Sequence, residues 1–203
     1  MLNRVRSRGS LRSVVQLVLS FALFCGATQA QEPGARGKYL AESRAVALKA
    51  IQQYRAQLAS ELAISGPLRA LMVCRYSCPE MVSALSRKSG WGVAMVSLKP
   101  RDPATGMADA WEQRTLLDFE RRIAGGERGD RLEFAEVVTE PQGKFYRYAR
   151  AIIVEPACLA CHGPPESLSA SVKAQLSIHY PFDRATGFRV GQLYGIATVK
   201  RPY

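Results

Sequence analysis

Cys158 and Cys161 stand three residues apart with His162 directly after them, in the run Cys158-Leu159-Ala160-Cys161-His162. Two thiols at this spacing can add across the two vinyl groups of one haem, and the adjoining imidazole then reaches the iron from one face. A Cys-x-x-Cys pair also serves as half of a zinc site or as a disulfide. The chain holds only five Cys and two His, so three of these seven side chains meeting in five residues is informative. The expected cofactor is one covalently bound haem c, with Cys158 and Cys161 as thioethers and His162 as the proximal ligand.

A second axial ligand has to come from elsewhere. The candidates are Cys74, Cys78, His179, Met72, Met81, Met95 and Met107, and by residue chemistry alone His or Met rank first. Cys78 lies four residues after Cys74, on the same side of any helix, so a Cys74–Cys78 disulfide competes with ligation. The pairs Cys74/Cys78 and Cys158/Cys161 together also have the count for a four-thiolate zinc domain, a remote alternative. Lys99 and Arg101 are candidate partners for haem propionates, and Trp111 is a candidate for packing against the ring.

These residues need positioning elements. Leu40, Val46, Leu48, Ile51, Tyr54, Leu58 and Leu62 recur at helical spacing, which predicts one long amphipathic helix over 38–64. Ser65-Gly66 ends it and Pro67 opens a second helix carrying Cys74, with Pro79 expected to break that helix or start it afresh. A strand is expected over 91–98, a loop over 99–108, and a helix from the Asp109/Glu112 capping pair to Gly125-Gly126. A hairpin follows, 131–138 with 145–154 around Pro141-Gln142-Gly143. The Cys158–His162 motif then falls on a loop, before a short helix over 169–178 and a last strand over 192–200. That order predicts an α+β fold with an antiparallel sheet.

Residues 1–30 resemble a secretory signal peptide, with Arg4, Arg6, Arg8 and Arg12 ahead of an apolar run and small residues at Ala27-Thr28-Gln29-Ala30. The run is shorter than a spanning helix needs, so cleavage and a periplasmic location are expected, with an N-terminal membrane anchor facing the periplasm as the alternative. Residues 31–203 then form a single domain. The formal charge of +11 falls to +7 when the four leader Arg leave, a basic surface suited to an acidic partner. No nucleic-acid-binding motif accompanies that charge, and no stable membrane span remains after cleavage.

Four blocks in order resemble a family of single-haem, PAS-like periplasmic domains, formerly a domain of unknown function. They are Ala70-Leu71-Met72-Val73-Cys74 with Pro79; Ser97-Leu98-Lys99-Pro100-Arg101-Asp102-Pro103 with Asp109-Ala110-Trp111-Glu112; Cys158–Gly163; and Tyr180–Phe188. The resemblance covers about Lys38 to Tyr203. It implies a PAS-like antiparallel sheet flanked by helices, one haem c, and Cys74 as the second axial ligand. The chain departs from the family at Met95-Val96 (usually Arg-Thr), Asp102 (usually Asn), Thr105 (a downstream Asn) and Cys78 (usually a small residue such as Ala).

No Ser/His/acid set or phosphate-binding glycine loop is visible, and a haem with two protein ligands leaves no open position for substrate. The expectation is a non-enzymatic, exported monohaem c redox protein engaged in low-potential electron transfer or redox partnering. The alternative is a haem-based redox or gas sensor. Either needs a redox or signalling partner protein, and self-association as a homodimer stays open.

Overall fold

The computed structural model describes residues 33–203; the expected signal peptide, 1–30, lies outside them. Its first element, α1 (Pro33–Ser89), is not a single rod. At Gly66 the backbone takes φ 74° and ψ −176°, a combination essentially confined to glycine, and Pro67 then starts the second arm. The arms fold back on each other: Tyr54 Oη lies 3.3 Å from Cys74 Sγ, and Ala50 shares an apolar cluster with Leu85. The two expected helices are therefore one helical hairpin.

Pro79 does not break the second arm, whose dihedrals stay helical to Ser89. Proline removes the bond to the carbonyl of Arg75. Burial of Leu71 on one side of it and Leu85 on the other holds the arm in place.

Four strands form one antiparallel sheet in the order β1-β4-β3-β2. They are β1 (Gly92–Val96), β2 (Glu133–Glu140), β3 (Gly143–Ile153) and β4 (Leu193–Pro202). The hairpin β2–β3 closes over Pro141-Gln142, with Gly143 at φ 136° and paired to Glu140. Both faces of the sheet are covered. Ala149, Ala151 and Ile196 point toward α3 (Ala110–Ala124), where Trp111, Leu116 and Phe119 complete the core. Tyr146, Tyr148, Ala197 and Val199 point toward the first arm of α1, against Ala47 and Ile51. Coverage on both sides explains why β4 is buried almost continuously instead of alternating.

The loop expected over 99–108 contains a short helix, α2 (Pro103–Gly106), capped by the Asp102 side chain. The Asp109/Glu112 pair forms the expected capping box of α3. The Cys158–His162 segment is not an open loop. A 3-10 turn over Pro156–Cys158 runs into α4 (Leu159–His162), because Pro156 presets helical dihedrals at its start. Helix α5 (Ala170–His179) packs Val172 and Leu176 against Leu71 of the second α1 arm. The chain is thus α+β, with a long N-terminal helical element and a four-stranded antiparallel sheet.

Candidate functional site

Between the α1 hairpin, the edge strand β1 and the α4 segment lies a cavity of about 380 Å³. Its apolar wall comes from Ile51, Leu58, Val82, Val93 and Ile152. Tyr54, Cys74, Arg101, Cys158, His162 and Tyr194 supply the chemistry. A mostly apolar pocket of this size with a few convergent polar groups is the usual form of a cofactor site.

His162 is the most tightly specified of these. Its Nδ1 lies 2.7 Å from the carbonyl oxygen of Ala185. A carbonyl only accepts, so Nδ1 carries the proton and Nε2 keeps a free lone pair. Tyr194 stacks edge-on at 4.8 Å between ring centroids, and Phe188 sits at 6.3 Å. Burial, with the nearby Arg101 charge, pushes the imidazole down to about 3, so it is held neutral. A neutral ring with one nitrogen fixed by a carbonyl is the form in which histidine binds metal.

The backbone around His162 is strapped in place. Phe188 N donates to the His162 carbonyl at 2.9 Å, and Gly187 N to that of Gly163 at 2.9 Å. Gly163 cannot be replaced without disturbing this turn, since a Cβ there would lie 2.7 Å from the Leu159 oxygen. Arg101 ties the same pieces together. Its guanidinium donates to the carbonyls of Cys161 and, at 3.2 Å, Ala185, and Nε pairs with Asp183 at 3.2 Å. Asp183 in turn accepts from Ala185 N at 2.7 Å.

Cys74 reaches the cavity from the second arm of α1, accepting a hydrogen bond from Tyr54. Its thiol is pushed down to about 7, chiefly by hydrogen bonding from Cys78; burial opposes this, and Tyr54 and Arg101 add to it. Cys78 is correspondingly held protonated, first by its bond to Cys74 and then by burial. The two are free thiols, as are Cys158 and Cys161. Burial raises Cys161, which packs beside Leu71 and Leu168 while Cys158 faces the cavity.

An imidazole with a free Nε2, a soft thiol whose neighbours favour its thiolate, and a further thiol on the cavity wall with another three residues along the chain fit a haem. His162 and Cys74 would suit its iron, and the thiols of Cys158 and Cys161 its periphery.

The other residues singled out from sequence separate clearly. Arg101 lines the cavity, but its guanidinium is engaged by the motif backbone and Asp183. Lys99 is exposed, its Nζ 5.5 Å from the Phe188 ring centre. Trp111 lies on the other face of the sheet, hydrogen bonded to Glu136 at 2.7 Å and stacked on Phe134, so it packs the α3 core and not the cavity. His179 sits at the end of α5 beside Gln175. Met72 packs in the Leu71 cluster, Met107 is exposed, and Met81 lies in a separate shallow groove; Met95 alone of these four lines the cavity. Among the described residues, no three His, Cys, Asp or Glu gather as a protein-only metal site, so the two Cys pairs do not form the four-thiolate cluster.

Sequence reasoning did not find the roles of Tyr54, Tyr194, Asp183 or the Ala185 carbonyl. Tyr54 reads as one more apolar position of a helix, and a backbone carbonyl leaves no signal in residue type.

The cavity, with all of its proposed ligands, falls inside the region matched by a family model. That model, described as Tll0287-like (Tll0287), matches residues 34–202. Among solved structures the chain is similar to the crystal structure of the cyanobacterial heme-protein Tll0287, at 29% identity and a TM-score of 0.60. The match covers 84% of this chain and 96% of that one. No curated protein matches. The chain belongs to the Tll0287-like family.

Proposed function

We propose that this chain is an exported, single-haem c protein of PAS-like architecture that works in low-potential electron transfer or redox partnering. The observation that carries the proposal is one cavity lined by His162, its Nδ1 fixed by Ala185, together with Cys74 and Cys158. The similarity to a heme-protein supports the same reading.

Cys158 and Cys161 would hold the group covalently, and His162 Nε2 and Cys74 would bind its iron. When bound, the haem supplies one-electron oxidation and reduction at iron. Cys78 first, then Tyr54 and Arg101, favour the anionic form of Cys74 against the effect of burial, and a thiolate donor stabilises the oxidised state. Two protein ligands leave no position for substrate, so the protein is a redox partner and not an enzyme. Cleavage of residues 1–30 in export leaves a basic surface that steers toward an acidic partner in the periplasm. No described helix is long and apolar enough to cross a membrane.

A second reading is a redox or gas sensor acting through a partner. It is favoured by the Cys78 thiol against Cys74, which competes with iron for that sulphur.

Acid-acetone extraction tests the attachment: the colour is expected to stay with the protein, and extractable haem or a colourless protein overturns it. Ferric and ferrous spectra with a redox titration test the ligand. Cys74→Ala is expected to lose the thiolate bands and raise the potential; an unchanged spectrum removes Cys74 from the iron. Carbon monoxide binding to the ferrous protein at low concentration favours the sensor over the carrier.

A further inference from the structure

Cys78 has no assigned role in the proposed haem site, yet it is almost wholly buried and lines the same cavity as Cys74. The two cysteines are one helical turn apart on the second arm of α1, where Cα atoms are about 6 Å apart, inside the range a disulfide bridges. An unperturbed helix aims such Cβ atoms poorly for bridging. Pro79 follows Cys78 directly, and its missing N–H removes the hydrogen bond that would tie this same turn to the Arg75 carbonyl. The turn that must tighten is therefore the one already short of a backbone bond.

Exposure assigns the order of reaction. Cys74 is partly exposed and Cys78 is buried, and both line the cavity. From these positions we infer that Cys74 and Cys78 form a reversible dithiol–disulfide site, whose closure takes the Cys74 sulphur away from iron. The inference rests on the reading of Cys74 as the second axial ligand.

The oxidant is a disulfide, either a small molecule or a protein. Cys74 as thiolate attacks one sulphur of it, forming a mixed disulfide and expelling the other half, which takes up a proton as a thiol. Cys78 then attacks the Cys74 sulphur, the Cys74–Cys78 bond forms, and the second half leaves with the proton Cys78 gives up. Two protein thiols are oxidised and one disulfide is reduced to two thiols. A sulphur held in the bridge has no thiolate to offer iron. The cavity then presents His162, with Met95 as the remaining soft donor on its wall.

Trypsin provides a direct readout, because it cuts after Arg75, between the two cysteines. The full-length holoprotein is equilibrated in glutathione buffers of stepped redox ratio, acid-quenched, alkylated and digested, with absorption spectra recorded before quenching. The expected result is that separately alkylated peptides 70–75 and 76–87 give way to one linked peptide as the buffer becomes oxidising. The thiolate bands should fade in step, and dithiothreitol should restore both. Cys78→Ala is expected to keep its thiolate bands across the whole series. Separate alkylation at every ratio overturns the site. A linked peptide with an unchanged spectrum overturns the withdrawal of Cys74. The Cys74→Ala spectrum distinguishes that failure from an error in the ligand itself: if it too is unchanged, the ligand reading fell first.

Discussion

The two faces of the sheet carry buried charge to opposite ends. On the α3 face Arg147 is sealed in: its guanidinium meets Asp109 at 2.6 Å, Glu112 at 3.1 Å and Glu140 at 3.3 Å, with its centre 4.6 Å from the Trp111 ring centre. Glu112 is buried, Glu140 is partly buried and Asp109 is half-exposed, and all three stand on α3, its cap or β2. On the hairpin face Arg101 is less deeply buried, and it holds backbone carbonyls of the very segment that carries Cys161 and His162. One arginine closes a core; the other fixes the segment that carries the proposed ligand. Burial of a charge alone does not mark a functional site, and what the charge is bonded to decides which kind it is.

The comparison is most sharply tested by Arg147→Met. Removing this cation leaves the buried Glu112 without its counter-charge, and loss of one partner from a buried ion pair costs about 3–5 kcal/mol. Urea denaturation should show that loss while the haem spectrum of the folded protein stays unchanged; a spectral change would mean the faces are coupled. Arg101→Gln is expected to cost less, about 1.5–3 kcal/mol, the range of hydrogen bonds to a charged group. Asp183 keeps its bond from Ala185 N, which limits the damage. Here the spectrum and potential should move together with stability, and a pure stability effect would reduce Arg101 to a packing residue.

The smallest effect is expected at the outer edge of the hairpin face. Arg44, with help from the Tyr148 hydroxyl and Arg150, pulls the Glu133 carboxyl from its usual 4.5 to about 2. A carboxylate lowered on folding adds stability that is fully present above the higher value and disappears as the pH falls through the lower. Glu133→Gln should therefore flatten the loss of stability between pH 4.5 and about 2, measured by urea titration at stepped pH. An unchanged acid limb would place that contribution elsewhere.

How far these features were readable depends on how local their causes are. The Asp109/Glu112 box and the β2–β3 turn are written in neighbouring residues and form there, whereas the Cys158–His162 run, expected on a loop, folds as a 3-10 turn and α4. Pro79 misled because its cost is local while the compensation comes from Leu71 and Leu85 packing on different partners. Trp111 misled because residue type cannot say which side of a sheet a helix will cover. The Gly66 reversal lay at a visible helix end, but that it brings Tyr54 to Cys74 follows only from the angle of the turn.

The place of β4 has a kinetic consequence. It is the last strand in sequence yet lies inside the sheet, between β1 and β3. Strand β1, made nearly a hundred residues earlier, has no neighbour to pair with until β4 arrives, and loop closure over that separation is slow. The Cys158–His162 motif, by contrast, is contiguous and available as soon as residue 162 is made. The two halves of the proposed site mature on different clocks: the thiols of Cys158 and Cys161 are presentable on an unfolded chain, whereas the cavity that Cys74 and His162 share has β1 for part of its wall and is complete only once the β1–β4 pairing has closed.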